Sequence, residues 1–101
     1  MILKNPFKAE TRELFIWKYD CDWCGHNGWS AIHHILGRVS DSPLNAATLH
    51  NDRCHINNNK LNMFNSQSVL LKKTLVYLKS INYVLTNKDI LFIKKYQKYY
   101  V

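Results

Sequence analysis

The sequence lacks any apolar run near the roughly 20 residues that a membrane-spanning helix needs, so it predicts no membrane partner. Residues 1–7 also lack an apolar core long enough for a secretory signal, and we expect a cytoplasmic, reducing location. Only three cysteines are present, an odd number that disfavours a full set of disulfides. In a reducing setting these cysteines are better explained as metal ligands.

Acidic residues are almost absent from the C-terminal part of the chain. Residues 60–101 hold eight lysines and one acidic residue, whereas residues 1–59 balance six basic against six acidic residues. The net charge of +7 therefore comes from residues 60–101. A basic segment of this kind suits a polyanion such as nucleic acid, although lysines that only solvate helix surfaces give the same composition.

The length of 101 residues suits one domain, and neither an internal repeat nor a flexible linker divides it. We interpret residues 1–19 as an N-terminal segment whose helix covers residues 7–19. Residues 20–60 have the composition of loops and short strands that side-chain ligands organise. Residues 61–101 form a basic helical extension.

Two helices are predicted within this extension. The first covers residues 67–84, because Leu71, Leu75 and Leu78 recur on one face. The second begins at Thr86, since Thr86 and Asp89 have the spacing of a capping box. Its inward-facing side chains are predicted to be Ile90, Ile93 and Tyr96.

All three cysteines and all five histidines lie within residues 21–55. Cys21 and Cys24 form a C-x-x-C pair, whose spacing lets both sulfurs reach one tetrahedral ion. Downstream, His50 and Cys54 offer a second pair, and together the four would make a closed Cys₃His zinc site. A closed site of four protein ligands is structural and would contribute folding free energy that a small core lacks.

Alternatives to this ligand set remain. His26 lies just past Cys24 and could replace His50 as the fourth ligand. The C-x-x-C pair could also be a redox motif, but a thioredoxin-like site needs a βαβ setting that the sequence does not predict. Two tryptophans flank the first pair, and we expect both to belong to the local core: Trp23 and Trp29.

Between the two ligand pairs lies a third pattern. After CDWC the sequence reads IHHI, then SPLN, and then LHNDRCHINNNK. This order resembles the HNH endonucleases over residues 21–60, which is about 40 of the 101 residues. The resemblance implies an α+β fold with a ββα-metal core and a structural zinc knuckle, flanked by an N-terminal helix and two C-terminal helices. The second knuckle departs from the family's C-x-x-C, since three residues separate its ligands.

The resemblance implies a metal-dependent DNA endonuclease that nicks DNA or cuts both strands. His34 would be the general base, because a neutral imidazole can take a proton from water near neutral pH. Asn45 would brace the loop across the hairpin. A divalent cation, Mg²⁺ or another such as Mn²⁺ or Ni²⁺, would neutralise charge on the phosphate. The residues implied to be catalytic are His33, His34, Asn45 and His55.

The same resemblance supplies ligands for that cation. His33 and His55 would hold it, since neighbouring side chains on a strand point opposite ways and His33 and His34 need separate tasks. Asn59 follows His55 by four residues and would share a helix face with it, which makes it the third ligand. Asn58 is the competing choice.

DNA contacts are predicted from the positive charge. Arg38 follows the histidine pair and would contact a phosphate near the cut. Lysines of the helical extension would bind backbone phosphates, which gives affinity without base recognition and hence low sequence specificity. The lysines in question are Lys72, Lys73, Lys79, Lys95 and Lys98.

Two other classes account for the cysteines alone: a non-catalytic zinc-stabilised DNA-binding module and a zinc-stabilised protein-interaction domain. Both leave the histidines and the asparagine of the motif unexplained. We therefore expect DNA as the partner, with the chain acting as a monomer or a homodimer. A composition rich in Lys, Asn and Tyr suggests a phage product that acts in the host cytoplasm.

Overall fold

The computed structural model describes residues 7–101, and residues 1–6 of the predicted N-terminal segment lie outside it. Its strands and helices, in chain order, are α1 (Ala9–Glu13), β1 (Ala31–His34), β2 (Ala46–Leu49), α2 (Phe64–Ser80) and α3 (Asn87–Lys95). Short helical turns at Pro43–Asn45, Asn51–Ile56 and Gln97–Tyr99 complete it. The predicted α+β class is confirmed. Across this described part, no helix is both long enough and apolar enough to cross a membrane.

The two strands form an antiparallel hairpin. Ala31 lies opposite Leu49 at one end, and His34 lies opposite Ala46 at the other. All of β2 is buried, and helix α2 is joined to it by the Thr74 hydroxyl, which donates to the Ala46 carbonyl at 2.6 Å. The hairpin is therefore held from behind, while its His34 end leads into the loop that returns to β2.

Helix α1 is much shorter than the predicted helix over residues 7–19, because it ends at Glu13. After it, the backbone makes tighter bonds between residues three apart, including one from the amide of Phe15 to the Arg12 carbonyl at 3.0 Å. Phe15 is buried there, whereas Trp17 is 78 % exposed. The chain leaves the helix so that Phe15 and Lys18 can both reach the interior.

The ammonium group of Lys18 is the centre of a buried polar cluster. It donates to the Asp22 carboxylate at 2.8 Å and to the Thr48 hydroxyl at 2.6 Å. Backbone bonds tighten the same junction, since the Asp22 amide donates to the Thr48 carbonyl at 2.7 Å. From α2, Lys73 donates to the Asp22 carbonyl at 2.9 Å. The cluster fixes the C-x-x-C segment against β2 and α2.

Helix α2 differs from the predicted 67–84 at both ends, since it begins at Phe64 and ends at Ser80. The end is a Schellman motif: Asn82 has a φ of 61°, and its amide donates to the Lys79 carbonyl at 3.1 Å. The Tyr83 amide then donates to the Leu78 carbonyl at 3.0 Å. The predicted apolar face is present, with Leu71 and Leu78 buried and Leu75 partly buried.

The predicted capping box at the start of α3 is confirmed. The Thr86 hydroxyl accepts from the Asp89 amide at 3.2 Å, and the Asp89 carboxylate accepts from the Thr86 amide at 2.9 Å. The predicted inward face is right for the partly buried Ile93 and Tyr96. It is wrong for Ile90, which is 41 % exposed, because Phe92 takes the buried position instead.

Candidate functional site

Three cysteines and one histidine converge beside the hairpin. The ligand atoms of Cys21, Cys24, His50 and Cys54 all lie within 4.8 Å of one another. The His50 Nδ1 atom is 3.4 Å from the Cys24 sulfur and 3.7 Å from the Cys54 sulfur. In a tetrahedral zinc site, neighbouring sulfur and nitrogen ligands lie roughly 3.5–3.8 Å apart. The group could therefore hold a metal ion such as zinc.

The orientation of His50 suits a ligand. Its Nε2 atom lies 2.8 Å from the carbonyl oxygen of Asn27, which can only accept, so Nε2 carries the proton and Nδ1 presents its lone pair to the sulfurs. Metal-binding histidines are commonly oriented by such a second hydrogen bond. Of the two histidines that the sequence left open, His50 is the one that joins the cysteines.

His26 shapes the turn instead. Its carbonyl accepts from the Cys21 amide at 2.9 Å. A hydrogen bond from its backbone amide is the main cause that lowers the pKa of Cys24 to about 5. Burial, followed by the neighbouring thiols, raises the pKa of Cys54 to about 11. A divalent cation would supply the charge needed to keep both sulfurs deprotonated together.

The wide helical turn Asn51–Ile56 supplies a residue to each of two sites. The amides of Cys54 and His55 both donate to the His50 carbonyl, each at 3.1 Å, which folds the turn back onto His50. Cys54 then lies against His50, while the next side chain, His55, lies against His33 of β1. One turn therefore links the cysteine cluster to the histidines of the hairpin.

A cleft of about 240 Å³ lies on this side of the hairpin, and we call it the histidine cleft. Its lining is formed by Ile32, His33, His34, Gly37, Arg38 and His55. The structure thus brings the three histidines of the sequence motif and the predicted phosphate contact into one concave surface. No acidic side chain is among the described residues that line it.

Two imidazole rings meet in the cleft. The ring centroids of His33 and His55 are 4.8 Å apart. Burial, and then the nearby His55 and His34, lowers the pKa of His33 to about 4, so this ring is neutral at pH 7. Its Nε2 atom is buried and has no hydrogen-bond partner among residues 7–101. A buried polar atom left in this state costs free energy unless a ligand engages it.

His55 is held by its neighbour one turn earlier. Its Nδ1 atom lies 3.2 Å from the Asn51 amide oxygen, which accepts, so Nδ1 carries the proton. The remaining nitrogen, Nε2, is then the one with a free lone pair. His33 and His55 can therefore each offer an imidazole nitrogen to one cation.

His34 occupies the last position of β1 and is 6 % exposed. Its ring stacks on Phe7 with centroids 3.9 Å apart and planes 12° from parallel. The Asp41 carboxylate lies 3.2 Å from its Nε2 atom and accepts from it, which leaves Nδ1 as the basic nitrogen. His34 is thus fixed by one ring and one carboxylate.

Asn45 closes the loop between the strands and is fully buried. Its side-chain oxygen accepts from the Leu36 amide at 2.9 Å. Its side-chain nitrogen donates to the carbonyls of Gly37 and Ser40, each at 3.0 Å. One amide side chain therefore sets the path of the loop that follows His34, which is the bracing position that the resemblance implies.

Asn59, the predicted third ligand of the cation, lies outside the wide turn that carries His55. The wide turn ends at Ile56, so Asn59 does not share a helix face with His55, and the i, i+4 argument was wrong. Asn59 is exposed. Asn58 uses its side chain locally, donating to the Cys54 carbonyl at 3.0 Å. Neither asparagine lines the histidine cleft.

The predicted DNA-contacting lysines are all exposed, but they differ in their partners. Lys72 donates to the Val101 carbonyl oxygen at 3.0 Å, and Lys73 is held by the Asp22 carbonyl. Lys95 and Lys98 lie over aromatic rings of the C-terminal part. Lys79 lies in the last turn of α2, at the opposite end from Phe64.

Several residues at the site were missed by sequence reasoning. Asp41 and Asn51 orient the histidines, but a single carboxylate or amide a few residues away is too common a pattern to single out.

The two tryptophans that flank the first cysteine pair differ. Trp29 is partly buried and donates its indole N–H to the Lys18 carbonyl at 2.6 Å, as a local core residue should. Trp23 is 36 % exposed, so the expectation of a core position is wrong for it.

Comparison of the chain with protein-family models, with curated proteins and with solved structures found no match.

Proposed function

We propose that this chain is a metal-dependent DNA endonuclease of the HNH type, with low sequence specificity. The observation that carries the proposal is the buried, unpartnered Nε2 atom of His33 beside His55. It lies in a cleft that is also lined by His34 and Arg38. A base, a cationic side chain and two imidazoles that can hold a cation are the groups that phosphodiester hydrolysis requires.

The order of elements supports a ββα-metal core. Strand β1, the loop braced by Asn45, strand β2 and the wide turn Asn51–Ile56 follow one another, with the turn in the place of the core helix. The cysteine cluster stands at the base of that turn and would hold a structural zinc ion. Zinc would then fix the turn that carries His55.

Each side chain in the cleft has a task in the proposed reaction. Nδ1 of His34 would take a proton from the attacking water, with the ring held in place by Asp41 and Phe7. The Arg38 guanidinium would bind a phosphate oxygen and offset its growing negative charge. Asn45 keeps the loop between these two residues in one conformation.

His33 and His55 would hold the divalent cation, since each has an imidazole nitrogen that no described side chain occupies. When bound there, such a cation stabilises charge on the phosphate and on the leaving oxygen. Imidazole nitrogens favour transition metals, whereas Mg²⁺ prefers oxygen ligands. We therefore expect Mn²⁺ or Ni²⁺ to support cleavage better than Mg²⁺.

Cleavage of supercoiled plasmid, assayed with Mn²⁺, Ni²⁺ and Mg²⁺ in turn, tests the proposal. The zinc-loaded chain should nick or linearise the plasmid, and His34→Ala and His33→Ala should each abolish cutting. His26→Ala is the control, because His26 neither lines the cleft nor belongs to the four clustered ligands; its side chain lies beside Cys24, so the zinc content of this variant is measured too.

Three results would count against the nuclease. Undiminished cleavage by His34→Ala would show that the assigned base is wrong. Binding of DNA without cleavage in any metal would favour the non-catalytic zinc-stabilised DNA-binding module. If DNA is neither bound nor cut, the protein-interaction domain is the remaining class. Zinc content measured on every preparation excludes loss of the fold as the cause.

A further inference from the structure

A cluster of aromatic rings lies where α2 begins and the chain ends. The ring centroids of Phe64 and Tyr99 are 4.8 Å apart, and those of Tyr99 and Tyr96 are 6.2 Å apart. Phe64 is the first residue of α2 and is 47 % exposed. Tyr96 and Tyr99 are partly buried. The cluster is therefore a row of three rings, of which Phe64 at one end is the most exposed.

Two lysines lie over these rings. The Lys98 ammonium is 5.5 Å from the Tyr99 centroid and 5.9 Å from the Phe64 centroid. The Lys95 ammonium is 5.6 Å from the Tyr96 centroid. Together these five residues form what we call the aromatic–lysine patch: Phe64, Lys95, Tyr96, Lys98 and Tyr99.

No acidic side chain of this part of the chain opposes the lysines. Asp89 is the only acidic residue among residues 60–101, and it is 1 % exposed. Its carboxylate is occupied by the Tyr83 hydroxyl at 2.6 Å and the Ser42 hydroxyl at 2.7 Å. At the chain end, Lys72 donates to the Val101 oxygen. The patch is thus complementary to a polyanion that also carries flat rings.

The patch is adjacent to the hairpin that carries the histidine cleft. Gln67 follows Phe64 by one helical turn on α2, and its side-chain amide donates to the Ile35 carbonyl at 3.3 Å. Ile35 directly follows His34. The first turn of α2 therefore carries the exposed ring at one position and touches the hairpin beside His34 at another.

We propose that the aromatic–lysine patch binds single-stranded DNA, with bases stacked on Phe64 and phosphates bound by Lys95 and Lys98. Stacking needs the faces of the bases, which a duplex keeps covered, whereas an unpaired strand offers them. Ammonium groups that already lie over the rings can move to the phosphates of a bound strand. For the nuclease proposed above, on which this step rests, the substrate class is DNA with an unpaired segment.

Equilibrium binding to a fluorescently labelled 15-nucleotide strand tests the patch. The chain is the zinc-loaded His34→Ala variant without added divalent cation, so that no DNA is cut. The same strand annealed to its complement gives the duplex arm, and an RNA strand of equal sequence gives a third. We expect the single DNA strand to bind more tightly than the duplex or the RNA.

Two substitutions in the patch should weaken single-strand binding. Phe64→Leu should raise the Kd about fivefold or more, the lower end of the loss of one stacked base. Its control is Trp17→Leu, which removes an aromatic ring that is 78 % exposed outside the patch. Lys98→Gln should also raise the Kd. Its control is Lys79→Gln, about 22 Å away along α2 from Phe64.

The proposal fails if Phe64→Leu matches Trp17→Leu, if it weakens single-strand and duplex binding equally, or if RNA binds more tightly than DNA. Thermal unfolding of each variant checks that it is folded. If Phe64→Leu is destabilised, the surface change Lys98→Gln still decides whether the patch binds the strand. Single-strand binding with no cleavage of any DNA would refute the nuclease proposal but not the patch proposal. Plasmid cleavage without single-strand preference would refute the patch proposal but not the nuclease proposal.

Discussion

The imidazole rings of His33 and His55 lie 4.8 Å apart between centroids, tilted by 56°, although one belongs to β1 and the other to the turn that follows β2. The His33 ring is kept neutral by burial, and its Nε2 atom has no protein partner among residues 7–101. The Asn51 amide oxygen sets which nitrogen of His55 is free. Two imidazole rings with a nitrogen available to a ligand are thereby held side by side in the histidine cleft.

Nickel binding should depend on both of these histidines. Replacing either by alanine removes a ligand, and we expect a loss of affinity at least as large as the roughly 10- to 100-fold that follows loss of an outer-shell partner. Titration calorimetry with Ni²⁺ on the zinc-loaded chain measures it. His26→Ala should bind Ni²⁺ as the unchanged chain does. Equal affinity in His33→Ala would show that the cleft is not the cation site.

Acid should destabilise the chain partly through His33. Its pKa is lowered from 6.5 to about 4 by burial and then by His55 and His34. Between these values the unfolded chain takes up a proton that the folded chain refuses, so the free energy of unfolding falls as pH falls. From pH 7 to pH 5.5, this single group should account for about 1 kcal/mol.

Urea unfolding of the unchanged chain and of His33→Gln, each loaded with one equivalent of zinc and no further divalent cation, isolates that contribution. Glutamine does not titrate, so its curve of unfolding free energy against pH should be flatter over this range. The free energy of unfolding of the unchanged chain, minus that of His33→Gln, should therefore fall as the pH falls. Parallel curves would mean that His33 is protonated as readily in the folded chain as in the unfolded one.

Metal removal should unfold the region around the cysteine cluster. The wide turn is folded onto His50 and Cys54. Without an ion, nothing bridges the three cysteine sulfurs and the imidazole nitrogen that converge there. Chelation should therefore lower the thermal unfolding midpoint, and re-addition of Zn²⁺ should restore it. Co²⁺ in place of Zn²⁺ reports the ligands directly. Its thiolate absorption should weaken in Cys24→Ser and persist in His26→Ala.

Asn45 should matter for stability as well as for cutting. Alanine at this position leaves the Leu36 amide and the Gly37 and Ser40 carbonyls without their partner, at roughly 1–3 kcal/mol for each group left buried. Asn45→Asp is the matched change, since it keeps the acceptor but turns an oxygen toward the two carbonyls. Chemical denaturation should rank both variants below the unchanged chain. A neutral Asn45→Ala would contradict the bracing role.

Local patterns in the sequence predicted local structure correctly. The capping box of α3 spans four residues, so Thr86 and Asp89 hold all the information that it needs. The apolar face of α2 follows from the helical spacing of Leu71 and Leu78 in the same way. For the metal cluster, the C-x-x-C spacing fixes two sulfurs at once, and the ligand that the sequence left open was the histidine, His50 or His26.

What the sequence could not predict depends on distant partners. α1 ends at Glu13, and Lys18, which the sequence placed on the same helix, bonds Thr48, 30 residues away. Asn59 was assigned to a helix face, but the turn widens at Cys54 and His55 and then ends. Asp41 reaches His34 only because Asn45 bends the loop between them. Each of these follows from packing that no short motif encodes.

Lys18→Met should be strongly destabilising, although Lys18 lies outside both metal sites. Asp22 is 3 % exposed, and its carboxylate would be left buried without the ammonium 2.8 Å away, a loss of about 3–5 kcal/mol for a broken buried pair. Lys79→Met, on the surface, provides the control.

Adding Asp22→Asn to Lys18→Met should recover part of the lost stability. The uncharged asparagine side chain can still accept the hydrogen bond that the Thr48 backbone N–H donates to the Asp22 carboxylate at 3.1 Å. Denaturation of the unchanged chain, Lys18→Met, Asp22→Asn and the double variant gives the coupling free energy between the two residues. A Lys18→Met chain as stable as the control would mean that this pair contributes nothing to folding.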